Sequence, residues 1–98
     1  MAVKEIIKVG LDFDFEIPKD VDLILWNDDY IPAEFVAMAL NSAGIEIRKA
    51  IEIMAKAHES GKALIGRYSY NVASKVKDNI LSFMKSCGYI SLKITMEE

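Results

Sequence analysis

The stretch Leu23-Ile24-Leu25-Trp26-Asn27-Asp28-Asp29-Tyr30-Ile31-Pro32 changes character twice within residues 23–32. Leu23 to Trp26 is an apolar run that reads as a strand. The polar group Asn27-Asp28-Asp29-Tyr30 then ends it, because Asn and Asp side chains hydrogen-bond their own backbone and favour turns. Pro32 sits where the first residue of a helix tolerates the loss of its N–H. A strand, a tight turn and a helix start are therefore expected in direct succession.

Downstream the pattern alternates between periods. Phe35, Val36, Ala39, Leu40 and Ala43 recur at helical spacing, and Gly44 offers the left-handed residue that commonly follows a helix. Ile47, Ala50, Ile51, Met54, Ala57 and His58 share one face of a second helix, with Arg48, Glu52, Lys56 and Glu59 opposite, and Gly61 closes it. Ala63 to Tyr68 reads as a strand, and Ser69 is placed to cap a third helix. The stripe Val72, Val76, Ile80, Phe83, Met84 and Cys87 runs along that helix, and Gly88 ends it. Ile90, Leu92, Ile94 and Met96 then alternate with Ser91, Lys93 and Thr95 as a closing strand. The expected architecture is α+β: a three-stranded antiparallel sheet packed against three helices over residues 21–98.

Residues 1–20 read as an N-terminal extension. Leu11, Phe13, Phe15 and Ile17 alternate with Asp12, Asp14 and Glu16, so an extra edge strand or a segment docked on the core is expected there rather than an open tail that recruits a partner.

Composition narrows the function classes. With 98 residues and 52% hydrophobic content, the chain supports one core and leaves little for a separate catalytic domain. The single Cys, Cys87, fits a reducing compartment and forms no internal disulfide. Cys87 and His58, one of each kind, fall short of the four ligands usual for structural zinc, and no cofactor is expected. A formal net charge of −3 provides no footprint for a nucleic-acid backbone. The longest apolar run, Phe35 to Leu40, is far below the ~20 residues that span a bilayer, and the N-terminus has no continuous apolar signal region. The chain is therefore expected to be soluble and cytoplasmic, with neither nucleic acid nor membrane as partner.

One constellation carries chemistry. Asn27, Asp28 and Asp29 follow a strand and precede a helix, while His58 lies one turn after Met54 on the inward face of the second helix. Carboxylate, amide carbonyl and neutral imidazole are all acceptors, and a primary ammonium has three N–H donors to satisfy. Taken singly, each piece has an ordinary structural reading. Asn-Asp-Asp before a helix is most often a self-bonded turn favoured by the helix dipole, and a lone His or Met on an apolar face is most often core.

The run Leu25-Trp26-Asn27-Asp28-Asp29-Tyr30-Ile31-Pro32-Ala33-Glu34-Phe35-Val36 resembles the signature of the ClpS family, adaptors of the bacterial Clp protease that recognise N-degrons. A second block matches in order: Met54-Ala55-Lys56-Ala57-His58-Glu59-Ser60-Gly61-Lys62-Ala63, then Gly66-Arg67-Tyr68-Ser69. The similarity runs from Val21 to Glu98. It implies a substrate-selecting adaptor with no catalysis of its own. Asn27, Asp28 and His58 would hold the α-amino group of a protein that begins with Leu, Phe, Tyr or Trp, and Asp29 would assist through water and turn geometry. Leu25, Ile31, Ala33, Val36, Met54, Ala57 and Leu92 would line the hydrophobic pocket. The implied partners are N-degron proteins and a ClpA-type AAA+ unfoldase.

The chain departs from the family pattern at several places. Ile31 stands where the family has a Thr that completes a capping box with Glu34, so Ile31→Thr is expected to stabilise the helix by about 0.5–2 kcal/mol unless Ile31 packs in the pocket. Ala33 replaces a Met that screens out β-branched first residues, so Ile and Val are expected to be tolerated as well. Asn71 and Val76, with Lys75 and Lys77 beside them, occupy the positions of the acidic residue and the Lys that the family uses for unfoldase docking. The N-terminal extension is short and strand-patterned where the family has a flexible segment that engages the unfoldase pore.

Two other readings compete. One is an interaction module that binds N-degrons without delivering them or does not bind them, of the same fold as the C-terminal domain of the ribosomal stalk protein, which lacks the Asn-Asp-Asp and His constellation. The other is an enzyme with Cys87 as nucleophile and His58 as base, which the position of Cys87 on the apolar stripe disfavours.

Overall fold

The computed structural model describes residues 19–98. The expected strand at Leu11–Ile17 and most of the extension lie outside them. Along the chain come β1 (Asp20–Trp26), α1 (Ala33–Ser42), α2 (Ile47–Ser60), β2 (Lys62–Ser69), α3 (Tyr70–Ser86) and β3 (Ile94–Glu97). The three strands form one antiparallel sheet in the order β2-β1-β3. The expected architecture is the one observed.

Alternation along β1 sends Val21, Leu23 and Leu25 into the core. They meet Val36, Ala39 and Leu40 of α1, Ala50, Ile53 and Ala57 of α2, and Ala73, Ile80 and Met84 of α3. On the opposite face, the Trp26 indole donates Nε1–H to Thr95 Oγ1 at 2.9 Å, and the Lys62 and Lys93 ammonium groups lie 5.1 and 4.8 Å from its ring centroid. That anchors the end of β1 immediately before the Asn27 turn. Glu46 accepts from the N–H groups of Arg48 and Lys49 at the start of α2, and Ser69 accepts from the Val72 N–H at the start of α3. Gly61, at φ 92°, ends α2 in the left-handed conformation, and its carbonyl accepts the Asn27 N–H at 2.9 Å. The end of α2, which carries His58, is thereby tied to the turn that carries Asn27.

The structure corrects four details. The closing strand is shorter than Ile90–Met96: ladder pairing spans Ile94–Glu97, and Ile90 is 85% exposed. The cause is the partner's length. Ile94 pairs with Leu25, Lys93 still accepts the Trp26 N–H at 3.1 Å, and beyond Trp26 the Asn27 N–H is directed to Gly61. On α3 the buried line begins at Ala73 rather than Val72, which is half exposed, and continues through Ile80 and Met84. On α2, Ala50, Ile53 and Ala57 face inward, while Ile47 and Ile51 are about half exposed and His58, expected inward, is exposed. That helix has two apolar lines about 100° apart, and periodicity does not choose between them. Finally, Pro32, with φ −57° and ψ 136°, is the residue that caps α1, and the helix begins at Ala33.

Among the described residues, no helix is long and apolar enough to cross a membrane.

Candidate functional site

The turn at residues 27–30 closes on itself and against two other parts of the chain. Asn27 is bonded to the end of α2 through Gly61, Ile31 N–H donates to the Asp28 carbonyl at 3.3 Å, and Asp28 receives a hydroxyl from the segment that enters β3. Between them lies a cleft of about 490 Å³, counted to its open mouth. Its polar wall is Asn27, Asp28, Asp29 and His58, and its apolar wall is Leu25, Ile31, Ala33, Val36, Met54, Ala57 and Leu92. All eleven residues singled out from the sequence therefore line one cleft. The elements that deliver them are the end of β1, the start of α1, the last turns of α2 and the approach to β3.

The polar wall is ordered by its own hydrogen bonds. Asn27 donates Nδ2–H to Asp29 Oδ1 at 2.8 Å, so its amide oxygen remains an acceptor. Asp28 Oδ1 accepts the Tyr30 N–H at 2.9 Å, an Asx turn, and Asp28 Oδ2 accepts the Ser91 hydroxyl at 2.6 Å. Asp29 thus acts on Asn27 rather than standing alone. His58 sits in the last turn of α2, one turn beyond Met54. The lining holds two carboxylates and neither Lys nor Arg. Such a wall attracts a cation, and the apolar wall beside it accepts a large side chain.

Two participants escaped the sequence reading. Trp26 lines the cleft beside Asn27, and Ser91 reaches Asp28 across 63 sequence positions. Trp26 could have been found as the last strand residue before the turn. Ser91 had no local signal, since its role depends on which segment passes the end of β1.

Ile31 lines the cleft, so the exception stated for Ile31→Thr applies. It is 5% exposed and belongs to the core, and because Pro32 occupies the capping position, a hydroxyl at position 31 would lie one residue outside it. Ile31→Thr is therefore expected to lower stability, by about 1–3 kcal/mol, through lost apolar burial and a buried hydroxyl. Thermal denaturation followed by circular dichroism measures this, and a raised midpoint would contradict the burial argument.

Cys87, at the C-terminal end of α3, does not line the cleft with His58. Among the described residues there is no group of His, Cys, Asp and Glu that could hold a metal ion.

Comparison with known proteins agrees with this geometry. The family described as "ATP-dependent Clp protease adaptor protein ClpS" matches residues 16–95. The ATP-dependent Clp protease adapter protein ClpS of Vibrio atlanticus is 35% identical over 82 residues, covering 83% of this chain and 76% of the relative. That of Herminiimonas arsenicoxydans is also 35% identical over 82 residues, covering 83% and 79%. Among solved structures, Agrobacterium tumefaciens ClpS2 bound to L-phenylalaninamide superposes with a TM-score of 0.74 at 28% identity, covering 83% of this chain and 98% of that one. A match over most of the chain, on the fold that brings both motifs to one cleft, shows that the protein belongs to the ClpS family of Clp protease adaptors.

Proposed function

We propose that the protein binds N-degrons, holding a free α-amino group and the bulky apolar side chain beside it, and delivers them to a Clp-type AAA+ protease. The observation that carries this is the convergence of Asn27, Asp28 and His58 on the rim of a single apolar cleft. L-phenylalaninamide, the ligand of the A. tumefaciens relative, is that chemistry in its smallest form: a primary amine next to a benzyl group. Burying such a side chain contributes roughly 1.5–3 kcal/mol, and each charge-assisted hydrogen bond about 1.5–3 kcal/mol before desolvation. Neither part alone gives useful affinity, so the site reads both. Delivery would use the exposed side of α3, where Asn71 is exposed and Val76 half-buried, with Lys75 and Lys77 adjoining. A ClpA-type unfoldase would meet a surface that differs from the family's usual docking pair.

The test is fluorescence anisotropy with two labelled peptides of identical composition, one beginning with Phe and one carrying that Phe internally. Only the first should bind. Equal binding would reduce the cleft to a general apolar patch and end the proposal.

Ala33, at the cleft mouth, is exposed and small. The protein is expected to accept peptides that begin with Ile or Val, and Ala33→Met to raise discrimination against them by about 10-fold or more relative to Leu. Equal discrimination in both proteins would remove Ala33 as the determinant.

A further inference from the structure

We propose that Ser91 is a positioning residue of the amino-group site, holding the Asp28 carboxylate in the orientation that receives an ammonium; this rests on the N-degron reading above. The Ser91 hydroxyl donates to Asp28 Oδ2 at 2.6 Å, within the range of about 2.5–2.7 Å for O–H donors to ionised oxygen. The Tyr30 N–H holds Oδ1 at 2.9 Å. The carboxylate is thus fixed at both oxygens from two directions, by its own turn and by the segment between α3 and β3. Each carboxylate oxygen has two acceptor sites, so one on each remains for a ligand.

The neighbours of Ser91 give that bond a second consequence. Leu92 is buried in the apolar wall of the cleft, and the Lys93 carbonyl accepts the Trp26 N–H at 3.1 Å. Residues 91–93 therefore lie along the end of β1 as a strap: backbone to Trp26, hydroxyl to Asp28, and between them the side chain that forms the pocket wall. The bond sets the distance between the anion that meets the ammonium and the surface that meets the first side chain. A ligand has to satisfy both at once. Without Ser91, part of that ordering would have to be supplied on binding, which weakens affinity with no contact to the ligand being lost.

The experiment measures peptide affinity by anisotropy for the full chain, using free-amine peptides that begin with Phe, Leu or Trp, together with the internal-Phe control. Ser91→Ala is expected to weaken all three by a similar factor, about 3- to 10-fold, with an unchanged thermal midpoint. Ser91→Thr, which retains the hydroxyl, should restore affinity to within about twofold of the natural protein. Natural-like affinity in Ser91→Ala, or failure of Ser91→Thr to rescue, would overturn the assignment. A loss that depended on the first side chain would also overturn it, because it would place Ser91 in the pocket wall rather than behind Asp28. If the natural protein fails to distinguish the Phe-initiated peptide from its control, the N-degron reading itself falls. If it distinguishes them and Ser91→Ala does so with equal affinity, only the role of Ser91 falls.

Discussion

Acetylation of the α-amino group of a Phe-initiated peptide is expected to weaken its binding by at least about 100-fold. The modification leaves the apolar side chain intact, so the contribution of Leu25, Val36, Met54 and Leu92 stays available. What changes is the partner of the polar wall. A primary ammonium presents three donors and a positive charge, whereas an acetylated nitrogen presents one donor and none. Asn27 and Asp28 are already oriented by Asp29, Tyr30 and Ser91, and their remaining acceptors point to no alternative donor within the turn. Loss of two charge-assisted hydrogen bonds at about 1.5–3 kcal/mol each, against about 1.4 kcal/mol per tenfold in affinity, sets the lower bound. Isothermal titration or anisotropy with the paired peptides measures it. Comparable affinity for both would take the ammonium out of the recognition, and with it the roles of Asn27, Asp28 and His58.

The site was more legible in the sequence than parts of the fold that holds it, and the reason lies in the range of the interactions. Asn27-Asp28-Asp29 announces a turn through local side-chain chemistry, and Met54 and His58 share a helix face through spacing alone. The match of both blocks to one family then joined two separated motifs that periodicity could not join. The resemblance implies Leu92 in the pocket wall, and Leu92 is buried in the lining even though it lies outside the ladder. By contrast, the phase of α2 turned on whether Ile51 or Ile53 faced the sheet, a choice made by tertiary packing. The start of α1 depended on the ψ angle of Pro32, which composition does not fix. Ser91 depended on topology: only with β3 beside β1 does the residue before Leu92 reach Asp28.

The same division between local site and distant core governs the second large effect. Leu40→Ala is expected to destabilise the protein by about 2–5 kcal/mol. Leu40 has no exposed surface and belongs to the central core cluster, yet it does not line the cleft. Removing its isobutyl group leaves a void that the surrounding core side chains fill only in part, so the cost exceeds simple transfer to water. Small domains have about 5–15 kcal/mol in total, so this is a large fraction of the whole. At about 4–8 °C per kcal/mol for a domain of this size, the thermal midpoint should drop by about 8 °C or more. Affinity for a Phe-initiated peptide, measured well below that midpoint, should stay near the natural value, because α1 presents Ala33 and Val36 to the cleft from its first turn while Leu40 anchors it from the next turn, outside the lining. Saturating peptide should then raise the midpoints of the natural and Leu40→Ala proteins by similar amounts, since the ligand binds only the folded state of each. A variant that kept its midpoint would refute the assignment of Leu40 to the core, and one that lost affinity along with stability would show that the cleft and the core are not separable in this fold.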